Sequence, residues 1–293
     1  MATLSSWRAA ATVACGILKN WRVPAFICVT CGVQYAESAT PPPRCPICED
    51  ERQYVGLEGQ QWTTLERLRE RHRAVLTDEE PQLTGIGTTP EFAIGQRALL
   101  VQTGEGNVLW DCISYLDDSL VAAVRGLGGI AAIAISHPHY YSSMLEWSAA
   151  FDGVPVFIHE ADREWVQRSD GNVVFWEGDQ RKLPGGLTLV HCGGHFAGAQ
   201  VLHWPEGAAG RGALLTGDII QVVPDRAFVS FMYSYPNLIP LSAGAVRRIA
   251  AAVEGFAFDR LYGAWFGRVV REGAKDAVRR SAERYARAVR GNE

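Results

Sequence analysis

The chain has 293 residues, 47% of them apolar, enough for one large core or one core with a small appendage and too apolar for general disorder. Lys and Arg number 28 against 32 Asp and Glu, a formal net charge of −4, so a nucleic-acid backbone finds no broad basic surface here. No apolar run approaches the roughly 18 residues that a membrane-spanning helix needs, and 30 glycines suit a fold of many tight turns rather than a helical bundle.

Residues 1–24 read as a leader, loose or packed. Its apolar stretch, 10–18, is too short and too weakly hydrophobic for an export signal. Of seven cysteines, four stand in paired CxxC spacing, which fits metal thiolates in a reducing compartment better than a disulfide framework. A cytoplasmic protein is therefore expected.

A four-cysteine module is expected over 25–58. Cys28 and Cys31 precede a turn-rich stretch with Pro41, Pro42 and Pro43, and Cys45 and Cys48 follow it. So short a segment cannot bury a core without a staple. Four soft thiolates close one tetrahedral shell, with zinc favoured and iron in a rubredoxin-like centre as the minority case. Either ion would be structural, since four cysteines leave no position open to substrate. Residues 59–82 read as a helix and linker: Thr63 and Glu66 have capping-box spacing, Leu65, Leu68 and His72 share a helix face, and Glu79, Glu80 and Pro81 begin a polar connection.

From 83 to 293 short strands, helices and glycine turns alternate. Segments 92–101 and 108–111 read as a hairpin across 103–107, and 116–127 as a helix. The wholly apolar 130–135 reads as a central strand buried on both faces, and it delivers the chain to His137-Pro138-His139. A helix over 141–151 and strands over 154–159, 173–176 and 187–191 follow, the last opening into Cys192-Gly193-Gly194-His195. A second hairpin, 200–204 with 212–218, ends at Asp218. Helices are expected at 246–253 and 274–289, the latter with an apolar stripe of Val278, Ala282, Tyr285 and Val289 and ion pairs Asp276 to Arg280 and Glu283 to Arg287. The pattern is α/β, with helices outside packed sheets.

His137, His139, His195 and Asp218 each sit where a strand gives way to a loop, which is where open α/β sheets place their chemistry. They form a candidate metal site. His191 reads as a supporting or core residue, His159 as a residue of the cleft, Cys192 as a small buried residue and His203 as structural. Downstream of Asp218, Phe231, Tyr233 and Tyr235, together with Trp265, are candidates for a substrate-facing wall that supplies apolar area and hydroxyls.

Residues 83–293 resemble the metallo-β-lactamase superfamily. Its HxHxDH motif is matched by His137-Pro138-His139-Tyr140-Tyr141-Ser142, its Gly-His motif by Gly194-His195, its strand-ending Gly-Asp by Gly217-Asp218, and the acidic residue after its second strand by Asp111. The resemblance implies a four-layered αββα sandwich and, in most members, zinc-dependent hydrolysis. Three departures stand out: Tyr141 and Ser142 occupy the Asp and His positions of the motif, and no histidine follows His203, so the last family histidine is absent. A dinuclear site is therefore not expected. His137, His139 and His195 match the first metal position, with Asp218 placed to complete or bridge it.

Three imidazoles and an open position suit a zinc ion that lowers the pKa of a bound water. Asp218 would orient that water or accept its proton, and Tyr140 or Tyr141 would donate to the developing oxyanion. The expected activity is hydrolysis of a small ester, thioester, lactone or amide-like substrate by a mononuclear zinc site. A mononuclear non-haem iron oxygenase or redox enzyme, using two histidines and an aspartate, and a catalytically silent binding protein are the alternatives. Iron is open at either site. The expected partner is a small molecule, with no nucleic acid or membrane, and a homo-oligomer is open.

Overall fold

The computed structural model describes residues 23–291; residues 1–22 of the expected leader lie outside them. Two sheets dominate. The first has seven strands in the order Val173–Trp176, Val156–His159, Ala132–Ala134, Val108–Trp110, Ala98–Val101, Leu83–Thr89 and Arg73–Glu80. Its first four strands run parallel and the rest antiparallel. The second has six, Gln180–Lys182, Thr188–His191, Gln200–Trp204, Ala213–Leu215, Arg260–Tyr262 and Val269–Val270, with one parallel pair between Ala213–Leu215 and Arg260–Tyr262.

Strand alternation sorts the core into three interfaces. Leu99, Val101, Val108, Trp110, Ala132 and Ala134 from the first sheet meet Leu189, Leu202, Trp204, Ala213 and Leu215 from the second. The opposite face of the first sheet, with Leu100, Leu109 and Ile133, packs against Leu120 and Val124 of the helix Asp118–Gly126 and Trp147 of Met144–Ala150. The far face of the second, with Val190, Val201, Leu214 and Leu261, lies under the helices Ala243–Glu254 and Ala274–Ala288. This is the four-layered αββα sandwich. Among the described residues no helix is long and apolar enough to cross a membrane.

The four-cysteine region adds a three-stranded sheet of Gln34–Glu37, Ala25–Cys28 and Trp62–Thr63. Its apolar residues Ile27, Val33, Ile47, Leu65 and Leu68 are continuous with the outer cluster of the first large sheet.

Several local expectations shift. Thr64, not Thr63, caps the helix Leu65–Arg71 by accepting from Arg67 N at 3.4 Å, because Thr63 is held in the small sheet opposite Ile27. The expected polar linker after that helix is the edge strand Arg73–Glu80. Its acidic end is polar for a tertiary reason: Glu79 pairs with the buried Arg97, and Glu80 with Arg260 at 2.5 Å. The strand expected over 92–101 is confined to Ala98–Val101, since Phe92 to Gly95 forms a turn and Arg97 N donates to Ala264 O across the sandwich. On the last helix Asp276 pairs with Arg279 rather than Arg280. Arg280 instead reaches Ala227 O, and Val289 is exposed.

Candidate metal centres

The first centre is local. Cys28 and Cys31 flank the turn that ends Ala25–Cys28, while Cys45 is the N-cap of the one-turn helix Pro46–Glu49 and Cys48 lies within it. All four are buried and their sulfurs converge. Cys28 Sγ lies 3.5 Å from Cys48 Sγ, and Cys31 Sγ 3.7 Å from Cys45 Sγ. Sulfurs on one tetrahedral ion with bonds of about 2.3 Å stand about 3.8 Å apart, so the set fits a metal. Tyr35 Oη donates to Cys45 Sγ at 3.0 Å and Gln60 Nε2 to Cys28 Sγ at 3.1 Å, contacts that favour thiolate over thiol.

The second centre is assembled from both large sheets at the C-terminal ends of their strands. Ala132–Ala134 leads to Ser136 and His137, and the short 3₁₀ turn Pro138–Tyr140 presents His139 and Tyr140. Thr188–His191 leads to the loop of His195, and Ala213–Leu215 to Gly217 and Asp218. Gly217 has φ of +55°, and a Cβ there would stand 2.8 Å from Ser136 Oγ. The turn that delivers Asp218 therefore needs glycine.

The ligand atoms of His137, His139, His195 and Asp218 all lie within 4.8 Å of one another. His137 Nε2 stands 3.2 Å from Asp218 Oδ1, and His139 Nδ1 3.3 Å from His195 Nε2. Nitrogen or oxygen ligands on a tetrahedral ion with bonds of about 2.0 Å are separated by about 3.3 Å. His137 Nε2, Asp218 Oδ1 and Tyr140 Oη are buried without a hydrogen-bond partner. Such orphaned groups are costly unless something shared satisfies them; a cation would take up the lone pairs of His137 Nε2 and Asp218 Oδ1.

Electrostatics agree. Burial holds the pKa values of His137 and His139 well below the usual imidazole range and lowers that of His195 to about 4, which keeps all three neutral, the ligating form. Burial also pushes Asp218 up to about 7 and the adjacent Tyr140 phenol well up.

Outer contacts orient the ligands. His195 Nδ1 faces Met232 O at 3.1 Å, so it donates there and leaves the Nε2 lone pair free. Asp111, with φ of +61°, accepts from Ser136 N at 2.7 Å, and Ser136 Oγ sits 3.1 Å from His137 Nδ1. Tyr235 Oη donates to Asp218 O at 2.6 Å.

Other sequence candidates fall elsewhere. Tyr141 turns its hydroxyl to Asp162 O at 3.2 Å, and Ser142 Oγ donates to Cys112 O at 3.1 Å while accepting from Gln96 Nε2 at 3.0 Å. The two motif positions that would hold a second metal are thus committed to other partners, and of the two tyrosines only Tyr140 faces the cluster. His159 and His191 stack on each other at 3.8 Å outside the four-ligand group, and His191 Nε2 donates to Ala197 O at 2.8 Å. Phe231 is core, packed edge-on to Tyr285. Trp265 donates to Ile94 O at 2.8 Å and packs with the outer cluster of the first sheet. Tyr235 is near, its ring 5.9 Å from that of His195, whereas Tyr233 faces Arg52.

Three contributors escaped sequence reasoning. Asp162 Oδ1 accepts from Gly198 N at 2.6 Å and pins the His195 loop. Gln200 joins the sheets, donating to Ile135 O at 2.7 Å and Phe157 O at 3.3 Å and accepting from Trp176 Nε1 at 3.0 Å. Arg52 reaches His195 O at 3.3 Å. Only Arg52 carried a signal, its position four residues after the last CxxC cysteine.

No family model matches the sequence. Among solved structures the fold is similar to the metallo-β-lactamase FIM-1 from Pseudomonas aeruginosa in its mono-zinc form, with TM-score 0.53 and 13% identity over 73% of this chain and 96% of that one. It is similar also to the DIM-1 metallo-β-lactamase, with TM-score 0.53 and 11% identity over 72% and 97%. Among curated proteins, the uncharacterized protein YmaE of Bacillus subtilis is 54% identical over 269 residues, 91% of this chain and 97% of that protein. The αββα sandwich with its cysteine cluster and its degenerate histidine motif, and the identity along nearly all of YmaE, place the chain in one family with YmaE, a family with the metallo-β-lactamase fold.

Proposed function

We propose that the protein is a metal-dependent hydrolase with a single metal ion held by His137, His139 and His195, with Asp218 beside the position left to water, acting on a small ester, thioester, lactone or amide-like substrate. One observation carries this reading: the ligand atoms of His137, His139, His195 and Asp218 converge within 4.8 Å of one another, while the side chains at both motif positions for a second ion are hydrogen-bonded elsewhere. The mono-zinc form of FIM-1 is in keeping with it. Zinc, when bound, supplies Lewis acidity and a water acidified toward neutrality.

The chain's own groups do the rest. Asp218 orients the attacking water through its oxygens and takes up the proton released. Tyr140 Oη donates to the oxygen that gains charge, and its burial beside Asp218 keeps the phenol protonated for that purpose. His195 is kept in one tautomer by Met232 O, and His137 is aligned through Ser136 and Asp111.

Metal analysis of protein purified without added zinc is expected to find about two ions per chain by the two donor sets. His195→Ala is expected to lose one ion and hydrolysis together, in a screen of esters, thioesters, lactones and amides. Turnover that survives His195→Ala would overturn the proposal. A ferrous ion at the histidines, with oxygen consumed by a thiol-derived substrate, would replace it with the oxygenase reading, for which two histidines and Asp218 supply a suitable donor set.

A further inference from the structure

The four-cysteine region is not a bystander to the histidine centre. The turn of Cys45 and Cys48 passes into 50–53 through Asp50 N to Pro46 O, 3.2 Å, and Gln53 N to Asp50 O, 3.0 Å. There Arg52, its side chain 12% exposed, is held from every side. Asp50 grips it as a fork, Nε to Oδ1 at 2.6 Å and Nη2 to Oδ2 at 2.9 Å. The guanidinium lies 3.9 Å from the ring centre of Phe196, with Trp165 at 5.0 Å and Tyr233 at 5.4 Å, and Nη1 donates to His195 O at 3.3 Å. Asn237 Nδ2 fixes the segment on both sides of Arg52 through Glu51 O and Gln53 O, each at 2.9 Å. The same region touches the other metal loop, where Gln34 N donates to Ser142 O at 3.0 Å.

We propose that Arg52 is a positioning residue for His195, and that through it the ion of the four cysteines and the ion of the histidine centre bind cooperatively. The inference rests on the reading that both clusters hold metal. An ion that orders the Cys45–Cys48 turn orders the segment that carries Arg52. Arg52 in turn holds the backbone of a ligand and the face of the residue after it. Coupling of this kind is reciprocal, so filling either site raises the affinity of the other.

The test uses the full chain with zinc and, separately, cobalt(II). Zinc affinity at the histidine centre is measured by competition with a chromophoric chelator, and cobalt reports each site by its own absorption bands. Arg52→Ala is expected to weaken zinc at the histidine centre by about 10-fold or more, the scale on which partners of metal ligands act. The ligand-field bands of cobalt at that centre should shift, with the thiolate-to-cobalt absorption unchanged. Arg52→Lys should not restore the affinity, because an ammonium keeps the charge but neither the fork nor the stacking. Cys48→Ser, which empties the cysteine site, should lower zinc affinity at the histidines by a similar factor, and the double variant should be no worse than Cys48→Ser alone.

Unchanged affinity and bands in Arg52→Ala would overturn the inference while leaving the proposed hydrolase centre intact, as would effects of Arg52→Ala and Cys48→Ser that multiply. If Cys48→Ser does not fold, cooperativity is read on the wild-type chain from zinc affinity at the histidines with the cysteine site filled and with it empty, and equal affinities would overturn it. A wild-type chain that binds only the cysteine ion would overturn the histidine metal centre and this inference with it.

Discussion

Asp162 shows how one buried carboxyl supports a metal loop it does not join. Its Oδ1 takes Gly198 N, and a Cβ on residue 198 would come within 2.7 Å of its carboxyl carbon, so a glycine must pass there. Burial raises its pKa to about 7, against the opposing pull of the Gly198 N–H and Arg52. The unfolded carboxyl titrates near about 3.9. Between those values the native state holds more protons than the unfolded one, so this group's contribution to stability falls as pH rises from about 4 to about 7. The slope is at most about 1.4 kcal/mol per pH unit. Asp162→Asn, which keeps an oxygen for Gly198 N, is expected to flatten that part of the profile. Urea midpoints across the window, wild type against variant, measure it.

At the scale of elements, the four-cysteine region and the sandwich share a core but divide their work unequally. Ile27, Val33 and Ile47 are buried in one cluster with Tyr140, Tyr141 and Met144, so unfastening the cysteines loosens packing around the metal loop too. Cys48→Ser is expected to lose its ion and at least about 2 kcal/mol of stability, the scale set by loss of a native metal or disulfide. His137→Ala should stay folded with a cooperative transition, because the sandwich has core interfaces of its own, and should lose hydrolysis. Thermal unfolding, metal content and a hydrolysis screen on the two variants read this contrast. The edge strand Arg73–Glu80 belongs to the same scale: its acidic residues look like a linker until Arg97 and Arg260 are placed opposite them.

For the molecule as a whole, the decisive feature is how two sheets of different strand order are brought to one rim. Gln200 does this directly. It sits on the second sheet, and its side chain closes hydrogen bonds to two carbonyls of the first and to the Trp176 indole, while its backbone N donates to Ser136 O at 3.0 Å. Gln200→Leu would leave Ile135 O and the Trp176 indole N–H without this partner, at about 1–3 kcal/mol each where no water reaches them, while Phe157 O keeps Ile135 N at 3.2 Å. A total loss of about 3 kcal/mol is expected in denaturant unfolding, with weaker zinc binding at the adjacent His137.

The sequence by itself determined what depends on nearest neighbours along the chain. Two CxxC pairs declare a four-thiolate site without help from the fold, and the apolar stretch before His137 declares a buried strand ending in ligands. The order His137, His139, His195, Asp218 in its strand context carried the resemblance that implied the sandwich, and the four side chains do converge. Strand ends were less legible, because Arg97 and the 92–95 turn answer to Ala264 and Glu79 rather than to their own periodicity. Only the tertiary structure decided the fate of side chains whose partners lie far along the chain. It sent Tyr141 to Asp162 and Tyr140 to the cluster, took Phe231 into the core, and carried Arg52 across 143 positions to His195. The physical reason is the same in each case: hydrogen bonding and burial are set by what packs opposite, and local sequence does not specify the opposite face.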